Sequence, residues 1–219
     1  LEQAGRFLAY RRAVLLLALG YWLYQFRHLG EAGFGWQFRY LTIWALTASL
    51  LSAFAVLRHA RGRGTRPDTL ASVAAVLNAL VVLLYWRLYL IDPALVNGAN
   101  GIVWWQEYYL HLAGPVLQWI DALLLMGAFR APLRVLGVLA VLVLAYVGWI
   151  ELAVAPLNAT PVGDATSGLP YPFLNDLDLA DRLRFYLSTS AMAVLFTGLG
   201  WGICLARRMV LRRRLAAAE

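Results

Sequence analysis

The sequence predicts an all-α integral membrane protein, a bundle of six transmembrane helices with both termini cytoplasmic. Three observations predict it. Of 219 residues, 62% are hydrophobic and only 14% charged, too few charges to coat a soluble domain. The apolar residues fall in six runs, each near the roughly 20 residues that a helix needs to cross the hydrocarbon core. The arginines gather at alternate ends of those runs. The runs are continuous rather than short and alternating, which favours helices over a membrane barrel.

Taken in order, the spans are expected at about 13–29, 40–57, 70–91, 102–129, 133–155 and 183–205, in one transmembrane domain covering 1–219. Gln25, Arg27 and His28 crowd the end of the first. The fourth carries Gln106, Glu107, His111, Gln118 and Asp121, a heavy polar load for a membrane helix. Arg6, Arg11 and Arg12 precede span one, Arg58 to Arg66 fill the second connection, Arg130 and Arg134 the fourth, and Arg207 to Arg214 the tail. These places alternate correctly for one side of a six-span protein, which reads as the cytoplasmic side. The last outer connection, 156–182, is long and acidic, with Pro156, Pro161, Pro170 and Pro172 among Gly163, Gly168 and Asp164. A loop of that length suits a cap over a cavity.

The net charge of +7 does not point to nucleic acid, because the arginines form no continuous stripe. Every one of the 19 basic residues is Arg, which suits a GC-rich genome and a bacterial plasma membrane. One cysteine, Cys204, excludes an internal disulfide and a cysteine-based zinc site. No small-residue cleavage site follows the first apolar run, so a cleavable signal is not expected. No metal or other cofactor is expected, since the three histidines lie too far apart to share an ion.

An ionisable residue inside a span costs roughly 2.5 to 3.5 kcal/mol on insertion scales, so each one needs a reason. The residues in question are Arg87, Glu107, His111, Asp121 and Glu151. All but Asp121 fall toward the outer side, as a site open to the outer leaflet would require. A plainer reading pairs Arg87 with Glu107 or Glu151 to hold helices together. His111 follows Glu107 by four residues, so the carboxylate can orient the imidazole on one helix face. Gln118 lies on that face too, and Pro115 frees a backbone carbonyl nearby. A single membrane histidine also serves simply to hydrogen-bond a neighbouring helix.

Nucleophilic chemistry needs a hydroxyl beside that histidine. Ser49 and Ser52 lie deeper in span two, Ser188 and Ser190 near the start of span six, and Thr42 at the outer start of span two. Cys204 is at the inner end of span six, the wrong depth. By helix rise, Thr42 stands about 3 Å inside its span and His111 roughly 10–13 Å inside its own. Membrane threonines usually bond back to their own helix. A proton- or ion-coupled transporter built on Arg87, Glu107, Asp121 and Glu151 therefore remains a rival to an enzyme.

Three stretches shift the balance. Phe38-Arg39-Tyr40-Leu41-Thr42 opens span two; Tyr109-Leu110-His111 precedes Pro115 and Asp121 in span four; Tyr171-Pro172-Phe173-Leu174-Asn175 precedes span six. In this order and position they resemble the androgen-induced and androgen-dependent six-span hydrolases, which cleave fatty acid esters of hydroxy fatty acids. The resemblance implies Thr42 as nucleophile and His111 as its partner. It implies a lipid ester as substrate, with membrane lipids as surroundings. Arg87, Glu107, Gln118 and Asp121 are then the supporting candidates. Arg87 would suit a free carboxylate on the substrate, and Gln106 or Gln118 an oxyanion. Transfer of the acyl group to a lipid acceptor would use the same residues.

Overall fold

In a lipid solvent, a segment must satisfy its own backbone groups, so apolar runs of this length fold as helices. The computed structural model describes residues 2–29, 33–97, 103–160 and 167–216. Six long helices carry the fold. They are α1 (Glu2–Tyr24), α2 (Leu41–Ala60), α3 (Asp68–Ile91), α4 (Trp104–Met126), α5 (Pro132–Leu157) and α6 (Leu179–Ala216). Among the described residues, the five from α2 to α6 are long and apolar enough to cross a membrane, and the chain is a multi-pass membrane protein. Helix α1 has the length but not the composition, because Arg6, Arg11 and Arg12 take up its first half.

The helices overrun the expected spans where arginines flank them. Helix α1 already includes Arg11 and Arg12, and α6 runs on through Arg207, Arg208 and Arg212 to Arg214. Arginine is a good helix former, and no Pro interrupts these stretches. The expected start of span four and the loop residues Pro161, Gly163 and Asp164 lie outside the described residues.

Helix α3 is the central post, packed against α2, α4, α5 and α6. Its buried Ala71, Ser72, Ala74 and Ala75 let those neighbours approach closely. At the arginine-rich end the packing is tight. A Cβ at Gly200 of α6 would stand 2.6 Å from the buried Phe129 ring, so only glycine fits there. Gly127, at φ +63°, ends α4 in the left-handed region. Arg66 then donates to the carbonyls of Met126 and Gly127 at that helix end.

The opposite end is built from irregular segments. A 3₁₀ turn over Trp36–Arg39 leads into α2. Its Phe38 carbonyl accepts from the Trp44 and Trp149 indoles at 2.8 and 3.1 Å, and the Arg39 carbonyl accepts from Tyr146 at 3.0 Å. Asn158, after α5, accepts from the Phe34 N–H at 2.7 Å and donates to the Phe34 carbonyl at 2.9 Å. The segment before α6 makes a short turn, Pro172–Asn175, with Leu169 and Leu174 fully buried. These contacts pull the start of α2 down into the bundle.

Candidate active site

Thr42 is the second residue of α2, held by the turn just described. Its Oγ1 lies 3.4 Å from Nε2 of His111, so the depth gap expected between the two spans is closed. The other ring nitrogen, Nδ1, lies 3.0 Å from a carboxylate oxygen of Glu107 and 3.2 Å from that residue's backbone carbonyl. With Glu107 accepting the Nδ1 proton, Nε2 is the free acceptor and the Thr42 hydroxyl donates to it. Hydroxyl, imidazole and carboxylate thus stand in one row, the arrangement that nucleophilic chemistry requires.

Local sequence explains why His111 sits so. Pro115 has no N–H to give the carbonyl four residues back, which is that of His111 itself. The helix is wound as π over Tyr109–Ala113, and the Trp86 indole donates to the freed carbonyl at 2.9 Å. Single π turns of this kind recur at functional sites. Tyr85 stacks on the imidazole, centroids 3.6 Å apart and planes 9° apart, and fixes the ring from its face. Neither Tyr85 nor the role of Trp86 is legible in the sequence pattern, because both are ordinary aromatic residues of an apolar span.

Thr42 also differs from the other hydroxyls. Thr47, Ser72, Ser190 and Thr197 each donate to the carbonyl four residues back at 2.7–2.8 Å. Thr42 stands in the first turn of its helix and has no helical carbonyl to fall back on. Ser188 bonds the Phe185 carbonyl, and Cys204 lies buried beside Leu123.

The row opens on a cavity with about 230 Å³ of free space. Leucines and valines of α3 and α5 form one apolar side of its wall. Tyr171, Phe173 and Leu174, from the segment before α6, line it as well. Burial pushes the Tyr171 phenol up to about 12, against the pull of the Leu41 N–H that it accepts at 3.1 Å. It stays neutral at physiological pH. Gln25, Gln37, Tyr40 and Gln106 add polar groups near Thr42. Arg39, buried behind this wall, donates from Nη2 to the Tyr40 hydroxyl at 3.0 Å.

Three of the expected supporting residues stand elsewhere. Arg87 is exposed and does not line the cavity, and it pairs with neither Glu107 nor Glu151. Glu107 is taken by His111, while Glu151 holds Arg182 at 3.3 Å and accepts from Tyr186 at 2.7 Å. Gln118 is buried away from the cavity and donates to the Ser49 carbonyl at 3.3 Å. Asp121 forms a two-pronged pair with Arg11 of α1, at 2.8 and 3.1 Å. An arginine counted from sequence as flanking charge is therefore the partner of the deepest acid. Among the described residues, no group of three or more His, Cys, Asp or Glu side chains is arranged to hold a metal ion.

A family model described as FAR-17a/AIG1-like protein matches residues 7–204. The chain belongs to that family. The match takes in all three motifs and every helix at least in part. For this FAR-17a/AIG1-like chain, no curated protein and no solved structure is matched.

Proposed function

We propose that this chain is an intramembrane threonine hydrolase of lipid esters, with fatty acid esters of hydroxy fatty acids as the substrate class. One observation carries the reading: the Thr42–His111–Glu107 row stands at the wall of an apolar cavity. His111 takes the hydroxyl proton while Thr42 attacks the ester carbonyl. The hydroxy fatty acid leaves with that proton, and water then frees the acyl group from Thr42. The 3.4 Å separation suits a resting site, since such bonds commonly tighten when substrate is bound. Thr42 stands in the first turn of α2, where backbone N–H groups lack intrahelical partners and the helix dipole is positive. An oxyanion forming there meets a favourable field. Tyr40, backed by the Arg39 guanidinium, is the group best situated to donate to a substrate carboxylate.

The chain is further inferred to be one domain that crosses the membrane six times, with α1 as the sixth span. Tyr10 donates to the Leu117 carbonyl at 2.6 Å, Tyr21 stacks on Tyr109, and Trp22 donates to Thr47 at 3.0 Å. Contacts from Tyr10 to Trp22 make α1 a member of the bundle. The arginine-rich end then faces the cytoplasm by charge bias, and both termini with it. A bacterial plasma membrane is the setting this implies.

The test is ester turnover by purified protein in mild detergent, comparing wild type with Thr42→Ala and His111→Ala. Release of free fatty acid by wild type, lost in both folded variants, is the expected result. An inert wild type, or variants that match it, would sink the reading. An acyl product on a lipid acceptor in place of free acid would reassign the protein to acyl transfer.

A further inference from the structure

Thr42 borders two cavities of opposite character. Beyond the large apolar one, a second cavity of about 10 Å³ lies on the arginine-rich side of Thr42, between Ser49, Asn78, Pro115 and Gln118. A third, also about 10 Å³, follows between Arg11, Ser52, Gln118 and Asp121. Gln118 lines both. Each is about the size of one water, for which roughly 10–15 Å³ of such space is needed.

The side chains around them are short of donors. Asn78 donates its Nδ2 to Ser49 Oγ and to the Ala74 carbonyl, both at 2.7 Å. Gln118 donates its Nε2 to the Ser49 carbonyl. Neither amide oxygen accepts a hydrogen bond from the described residues, and neither is sealed in, so each faces open space inside a buried residue's surroundings. Buried amide oxygens are almost always satisfied, by protein or by water. A one-water cavity beside two such oxygens is a water site by chemistry as well as by size.

We infer that Gln118 joins two ordered-water sites into a polar track, and that this track supplies Thr42 with the water that frees the acyl group. The chemistry rests on the threonine-hydrolase reading; the water sites do not. The lipid meets Thr42 from the apolar side and water from the other. In the step supplied, the water oxygen attacks the acyl carbonyl carbon and its proton passes to His111 Nε2. The bond from that carbon to Thr42 Oγ1 then breaks, His111 returns the proton to Oγ1, and free fatty acid leaves.

The experiment has two arms on purified protein. In the first, wild type is irradiated in ¹⁸O-labelled water, and hydroxyl-radical oxidation is mapped at Leu46, Leu110 and Pro115, the buried neighbours of the second cavity. Oxidation that falls severalfold in near-isosteric Gln118→Met and Asn78→Leu is expected; no oxidation in wild type overturns the track. In the second arm, rapid quench follows acylation and its reversal by mass. Both variants should acylate Thr42 within about threefold of wild type yet release fatty acid at least tenfold more slowly, so that acyl-enzyme accumulates. Release at the wild-type rate, or acylation and release falling together, overturns the delivery role. Should wild type prove inert on esters while the oxidation pattern holds, the hydrolase reading fails and the water sites stand.

Discussion

The two ends of the bundle treat buried polarity in opposite ways. At the arginine-rich end two buried groups are tied off: Asp121 is gripped by Arg11, and Arg66 caps the end of α4. At the other end, His111 pairs with Glu107 through one ring nitrogen and points the other at Thr42, beside a cavity. Both arrangements satisfy the rule that ionisable groups in a membrane need partners. Only the second leaves a group with an unused reactive direction. The lesson is that a buried charge marks chemistry when its partner orients it rather than neutralises it.

Substitutions can break this comparison in graded steps. Thr42→Ala should lower ester turnover by ~10³-fold or more, since the nucleophile is lost, whereas Thr42→Ser should keep measurable activity. His111→Ala should cost about 10²–10⁴-fold, the usual contribution of a placed acid–base group. Glu107→Gln keeps the histidine but not its orientation, and about a tenfold loss is expected, near 1.4 kcal/mol of transition-state stabilisation. All four are read as initial rates of fatty acid release, with thermal unfolding showing no comparable change.

At the packed end the signature should reverse. Asp121→Asn leaves Arg11 without its countercharge and should cost about 3 kcal/mol of stability, while acylation of Thr42 per folded molecule holds. Replacing the pair together, as Arg11→Met with Asp121→Leu, should recover most of that loss. A loss of acylation in the stable double variant would instead make Asp121 part of the chemistry and revive the ion-coupled reading. Gly200→Ala is the mildest: the added methyl meets the Phe129 ring and should destabilise by about 1–3 kcal/mol with no effect on rate. Thermal unfolding in detergent checks both.

Much of the helical order was legible because hydropathy and arginine placement act over whole segments. Glu107 and His111 stood out for a related reason: four residues apart on a helix means one face. What misled was the assumption that a charge belongs where the hydropathy changes. Arg11 looked like a flank and is the partner of Asp121, and Arg87 looked like a site residue and is exposed. Long side chains reach across helix neighbours or out to the surface, and linear order carries no record of which.

By itself, the sequence determined the helical membrane class, the histidine–acid pair, and a carbonyl freed by Pro115. It also carried the three motifs that resemble the family now matched over residues 7–204. The tertiary structure alone decided that Thr42 and His111 meet, because only packing sets the relative depth of two helices. A 3₁₀ turn pinned by Trp44, Trp149 and Tyr146 sinks the start of α2, and a π turn rotates His111 toward it. Periodicity tells which residues share a face of one helix; it says nothing about which faces meet, or at what height.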